Sequence, residues 1–169
     1  YNSQCQSIEY VGSNWGNRSI FAMENLNGSM YIGFRGFHPT YGNNITRFDG
    51  TNFYPLGPGL NAEVQALAIY NGQLVASGLF TADGNNIQPL NGIAVWDGIQ
   101  WNPFPGGCEL NGDIYYLNVY DSILIGSGNF DSCGVVHTGG SVIYPNGLTT
   151  LPETEDEPFQ FTVFPNPSD

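Results

Sequence analysis

Three stretches of the chain carry the same punctuation in the same order: an apolar run, a two-residue turn, a Gly/Phe ending, a loop, and a second apolar run broken by another turn. The clearest copy runs Val64-Gln-Ala-Leu-Ala-Ile-Tyr70, Asn71-Gly72, Gln73-Leu-Val-Ala-Ser-Gly78-Leu-Phe80, a loop, Gly92-Ile-Ala-Val-Trp96, Asp97-Gly98 and Ile99-Gln-Trp101-Asn-Pro-Phe104. Upstream, Ser19 to Phe37 passes through Asn27-Gly28, and Ile45-Thr-Arg-Phe48 leads through Asp49-Gly50 to Phe53. Downstream, Ile114 to Phe130 passes through Asp121-Ser122, and Ser141 to Tyr144 precedes Asn146-Gly147. The anchors Phe37, Phe80 and Phe130 are 43 and 50 residues apart, so the loops vary while the frame holds. A repeat at this spacing decides the architecture before any single residue does. It does not decide function, because one scaffold hosts many.

Hairpins explain the pattern. Asn-Gly and Asp-Gly accept positive φ at both central positions, as the type I′ turn of twisted strand pairs requires. The flanking runs are short and rich in Val, Ile, Leu, Tyr, Phe and Trp, the composition of strands. Helix is excluded by the lack of a sustained 3.6-residue stripe and by 23 Gly and 11 Pro spread through nearly every segment. Two hairpins per unit give four antiparallel strands in about 40 to 50 residues, the blade of a β-propeller. A flat β-solenoid or a β-sandwich remains the alternative. The expected organisation is an all-β propeller segment over 1–151, with a half blade at 1–17 and blades at 18–58, 63–105 and 112–151. The total is about three and a half four-stranded blades. Such a count leaves a ring open, which implies a larger propeller, or one completed by other chains; a four-bladed ring closed by a strand over Phe159 to Phe164 is the lesser alternative.

The phrases Asn91-Gly-Ile-Ala-Val-Trp96-Asp-Gly-Ile-Gln-Trp101-Asn-Pro-Phe104 and Leu67-Ala-Ile-Tyr-Asn-Gly-Gln-Leu74 resemble the kelch-like or cortical-marker-like propeller repeats of secreted proteins. The likeness covers residues 5 to 151 and is strongest in the middle unit. The Gly-His partner of Trp-Asp-repeat propellers is missing, and Asp97 is followed directly by Gly98, unlike the Asp-box of sialidases.

After Leu151 the chain changes character. Residues 152–158 form an acidic, Pro-bounded linker. At 159–169 an alternating segment runs into Phe164-Pro165-Asn166-Pro167-Ser168, which resembles the opening of the C-terminal sorting domain of type IX secretion. That domain normally continues for some tens of residues. The resemblance implies the type IX machinery as a partner and, by way of the periplasm, a secreted or cell-surface location. Asp121-Ser122-Ile123 resembles the Asp-Ser/Thr-apolar O-glycosylation pattern of bacteria that use this route, which makes Ser122 a modification candidate. Tyr1 opens without an apolar signal segment, so an export signal is expected to have been removed already.

Charge narrows the partners. The net charge is −12, with 15 acids against three Arg and no Lys. So few cations cannot neutralise phosphates in number, which excludes nucleic acid as an expected partner. No segment is apolar enough to form a membrane-spanning helix. Cys5, Cys108 and Cys133 lack metal-ligand spacing. On the blade frame Cys108 and Cys133 fall in loops of one face, so a disulfide between them suits an oxidising compartment.

Nothing in the sequence assembles a catalytic constellation. Only His38 and His137 are available as imidazoles, and Asp49 and Asp97 recur as turn builders. The loop Thr81-Ala-Asp83-Gly-Asn85-Asn86 has oxygen donors without the spacing of a calcium loop. No cofactor or metal is implied. Trp15, Trp96 and Trp101 occupy matching strand positions and read as packing between units. Asn-x-Ser/Thr triplets at Asn17, Asn27 and Asn44 are what chance gives in an Asn-rich chain. The expectation is a non-enzymatic binding or adhesion module. Its ligand, a glycan or a protein, would meet the loops 38–44, 81–91 and 131–140, through candidates His38, Tyr41, Asp83, Asn85, Asn86 and His137. Two alternatives remain: a structural subunit of an extracellular or outer-membrane-associated assembly, and a non-catalytic part of a larger glycan-active or proteolytic enzyme.

Overall fold

A computed structural model describes residues 19–106, 110–133, 136–137 and 139–144. The fold is all-β, with three antiparallel sheets and no helix among the described residues. The first sheet is a meander of β1 (Ile20–Leu26), β2 (Ser29–His38), β3 (Gly42–Phe48) and β4 (Phe53–Pro55). The second repeats the order with β5 (Val64–Tyr70), β6 (Gln73–Gly78), β7 (Ile93–Trp96) and β8 (Trp101–Pro103). The third pairs β9 (Asp113–Tyr120) with β10 (Ile123–Asn129), a small ribbon of β11 (Ser132–Cys133) and β12 (Val136–His137) follows, and β13 (Ser141–Tyr144) joins β10. The first strands of the three sheets are neighbours, because β5 contacts both β1 and β9.

Alternation along the strands builds two core layers. In the second sheet Leu67, Leu74, Ala76, Ala94 and Trp101 face the first sheet, where Tyr31 and Ile45 meet them. The residues between them, Ala68, Tyr70, Val75, Ile93 and Val95, face the third sheet and pack on Ile114, Leu124 and Val142. This sheet is covered on both faces, so β6 and β7 read as unbroken apolar runs and not as a polar/apolar alternation. Trp96 lies against the chain at Gly57 and pairs with Trp101 across the strands at 5.3 Å between ring centroids. Packing between units therefore accounts for both indoles.

The turns divide into two kinds. Asn27-Gly28, Asn71-Gly72 and Asp121-Ser122 have positive φ at both positions, as the two-residue hairpin requires. The Asp-Gly turns differ from expectation. Phe48 pairs with Phe53 and Trp96 with Trp101, which leaves four-residue loops in which glycine alone takes positive φ. The reason is the aspartate side chain. Asp49 Oδ1 accepts from the Thr51 and Asn52 N–H groups at 2.8 Å, and Asp97 Oδ1 does the same for Ile99 and Gln100. Such a carboxylate closes the loop from inside.

Every first strand carries one extra residue at the same place, a β-bulge at Phe21, Gln65 or Tyr115. Opposite the bulge the second strand approaches so closely that a Cβ on Gly78 would collide with the Glu63 carbonyl, and one on Gly128 with the Asp113 carbonyl. That proximity explains the glycine two residues before Phe80 and Phe130. The first unit departs from the frame. Phe34 stands opposite Ile20 where Gly78 stands opposite Val64, and β2 runs on to His38. Phe80 and Phe130 are buried, whereas Phe37 is 61% exposed and Phe34 is the fully buried ring of its unit. Phe37 is therefore not the counterpart of the other two anchors.

Candidate functional site

The loops expected to carry recognition are held by asparagines. Asn61, just before β5, accepts with Oδ1 from the Thr81 and Ala82 N–H groups at 3.0 and 3.2 Å, and its Nδ2 donates to Thr81 Oγ1 and Asn86 Oδ1. Asn111 repeats the device: Oδ1 accepts from the Asp131 and Ser132 N–H groups, and Nδ2 donates to Asp131 Oδ1. Both clamps bridge 20 residues to the start of the loop.

A second set ties the first sheet to the second. Asn43 Nδ2 donates to the Pro58 carbonyl at 2.9 Å, and Asn44 Nδ2 to that of Leu60 at 2.7 Å. Asn44 Oδ1 accepts from the Gly36 N–H. The Gly84 N–H then donates to the Gly59 carbonyl at 2.9 Å, and Leu60 bridges Asp83. The segment 38–44, the linker 56–62 and the loop 79–92 thus form one hydrogen-bonded surface. Asn44 is buried with its amide engaged, so the triplet there offers no accessible glycosylation nitrogen.

Most of the candidate ligand groups serve this framework. His38 is buried, and its Nδ1 accepts the Thr40 and Tyr41 N–H groups at 3.0 and 3.2 Å. Its face stacks on Tyr41 at 3.8 Å, and Tyr41 leans on Phe53. Asp83 is buried, and its Oδ1 accepts from Ile87 N at 2.8 Å and Gln88 N at 3.3 Å. Asn86 takes positive φ and is bonded to Asn61. Asn85 is exposed on the same loop. The structure brings Asp83, Asn85 and Asn86 together, places His38 and Tyr41 in the neighbouring loop, and uses His38, Asp83 and Asn86 as supports. The side chains of Cys133 and His137 lie outside the described residues, as do Cys5, Trp15, Asn17, Cys108, the linker 152–158 and the motif Phe164 to Ser168. Ser122 sits exposed at the β9–β10 tip with φ of 64°.

What stands open to solvent here mixes apolar, amide and hydroxyl groups: Phe37, Thr40, Thr81, Asn85, Asn86, and Ile87 at 77% exposure. Beside this face the bulged first strands enclose an open cleft of about 680 Å³ lined by Phe21, Met23, Gln65, Leu67, Tyr116 and Leu117. Sequence reasoning missed it. Its signal was the broken alternation in Ile20-Phe-Ala22, Val64-Gln-Ala66 and Ile114-Tyr-Tyr116, three bulges in register. Among the described residues no three His, Cys, Asp or Glu side chains converge as metal ligands. Arg35 and Glu63 approach at 3.8 Å with Arg35 largely in solvent, a contact of small energetic weight.

No protein-family model matches the chain, and no curated protein matches it.

Proposed function

We propose that the chain is a segment of a β-propeller that serves as a secreted or cell-surface binding and adhesion module, exported by type IX secretion. The observation that carries the reading is the hydrogen-bonded surface of 38–44, 56–62 and 79–92, set on three meander sheets whose first strands adjoin. A loop surface fixed by side-chain amides, that of Asn44 buried, loses little conformational entropy on meeting a ligand. Its exposed groups suit a glycan or protein: Asn85 offers an amide, and Phe37 and Ile87 offer apolar contact. The reading is non-catalytic. The sorting-like segment Phe164 to Ser168 supports the export route.

Two measurements test this. Binding of the purified chain to arrayed surface glycans and to extracellular protein extracts should fall at least tenfold in Ile87→Asp with thermal stability unchanged; equal binding by that variant removes the loop surface as the site. The protein produced with its native export signals in a type IX-secreting bacterium should be cut by protease added to intact cells. Full protection would overturn the surface location.

A further inference from the structure

The extra residue of each first-strand bulge, Phe21, Gln65 or Tyr115, lines the open cleft of about 680 Å³. A bulge interrupts ladder pairing and re-aims a side chain, and here three of them converge on one opening. Tyr116 in the same lining is 72% exposed and Phe21 41%, so aromatic surface in the cleft is open to solvent. Glu63, its side chain 16% exposed, is the one charged residue lining the cleft among the described residues. A smaller hollow of about 240 Å³ shares Leu67 and Leu117 with it and adds the Glu24 carboxylate. We propose that this cleft binds a basic peptide segment, seating a lysine or arginine side chain against the rings and Glu63.

Three observations select that occupant. The first is charge: no cationic side chain lines either hollow among the described residues, and the chain carries 15 acids against three Arg and no Lys. Such a field attracts a basic partner and repels an acidic one. The second is the company of the carboxylate, because aromatic rings beside it attract a cation further. Arg35 Nε reaches Glu63 only at 3.8 Å, with its own side chain 73% exposed, and it stands outside the cleft lining, which leaves Glu63 able to accept from a second cation. The third is backbone. The two-residue turns make Leu26–Ser29, Tyr70–Gln73 and Tyr120–Ile123 hydrogen-bonded pairs, and such pairs recur at every second residue back along each first strand. The N–H and C=O of Met23, Leu67 and Leu117 therefore lie on free strand edges at the cleft, where no described backbone group meets them. Free edges of this kind hydrogen-bond the amides of an extended peptide. The inference rests on the cleft alone and not on the loop-surface reading.

The test is isothermal titration calorimetry of the purified chain with acetyl-Gly-Lys-Gly-amide and with its norleucine counterpart, which keeps an apolar side chain and loses the charge. The lysine peptide should bind saturably at one site, about tenfold or more tighter than the norleucine peptide, and more weakly as salt is raised. Choline, a cation without a peptide backbone, should bind about tenfold more weakly than the lysine peptide. Glu63→Gln should weaken the lysine peptide about tenfold and Tyr116→Ala about two- to fivefold, both with melting temperature unchanged. Equal binding of the norleucine peptide or of choline overturns the proposal, as does binding indifferent to Glu63→Gln or no saturation by about 10 mM peptide. Ile87→Asp should leave the lysine peptide's binding unchanged, so the cleft and the loop surface fail separately.

Discussion

The second and third sheets share one frame and differ in what covers them. In the second, alternate residues of each strand enter two different core layers, so Leu74 meets the first sheet and Val75 the third. In the third, Leu124 is fully buried on one side while Tyr116 and Tyr120 stand in water on the other. Equal strand patterns thus carry unequal energetic weight, because burial belongs to the neighbour as much as to the residue. The loop clamps show the reverse. Asn61 and Asn111 make the same pair of bonds in both units whatever lies outside the sheet, since each Oδ1 satisfies two backbone N–H groups of its own unit's loop.

The largest effect that would sharpen this contrast comes from the doubly covered sheet. Trp101→Ala, which removes a fully buried ring, should cost about 3–5 kcal/mol in urea unfolding. Tyr116→Ala on the third sheet should stay within about 0.5 kcal/mol; similar losses at the two sites would break the comparison.

Asn61→Ala and Asn111→Ala should each cost about 1–2 kcal/mol, from several lost hydrogen bonds offset by water. The same value at both sites is the informative outcome, read by unfolding and by faster amide exchange at Ala82 and Ser132.

The third hairpin places a serine where the second has glycine. Ser122 bears a φ of 64°, against 74° at Gly72. Ser122→Gly should stabilise by about 1 kcal/mol, the cost of a left-handed residue with a Cβ, and Gly72→Ser should destabilise by a like amount; calorimetry checks both.

The smallest effect concerns the aspartate turns, both exposed. Backbone N–H bonds from Gln100 and Ile99, with the Asn102 amide adding, hold the Asp97 carboxyl below its ordinary 3.8, and Asn52 and Thr51 do so for Asp49. A lowered folded value means the folded state keeps its charge where the unfolded chain takes up a proton. The contribution is present above the unfolded value and is lost as pH falls through the folded one. The melting-temperature gap between the native chain and Asp97→Asn should therefore narrow as pH is lowered below about 4. A gap independent of pH would break this account.

Much of the fold was legible in the sequence. Asn-Gly pairs fixed two hairpins and Asp121-Ser122 a third because their φ requirement is local, and the glycine two residues before Phe80 and Phe130 marked the close approach beside each bulge. Other features needed the assembled chain. Asp49 and Asp97 closed longer loops than Asp-Gly suggests, because the side chain supplies an acceptor that dihedral preference does not reveal. Phe37 matched the anchor pattern by spacing, but Phe34 took the buried position once β2 ran past the point where its counterparts end. His38, Asp83 and Asn86 carried ligand-like chemistry in sequence, and the backbone N–H groups of their own loops, or a neighbouring asparagine, claimed it.

By itself the sequence determined strands, hairpins and their recurrence, because turn dihedrals and two-residue alternation act over a few neighbours. Only the tertiary structure decided which face of each sheet is covered, which polar groups are spent on the framework, and where the first strands leave a cleft. Those outcomes depend on partners distant in the chain, as between Asn61 and Asn86 in the loops or Tyr31 and Trp101 in the core, and on sheets whose approach no local pattern encodes.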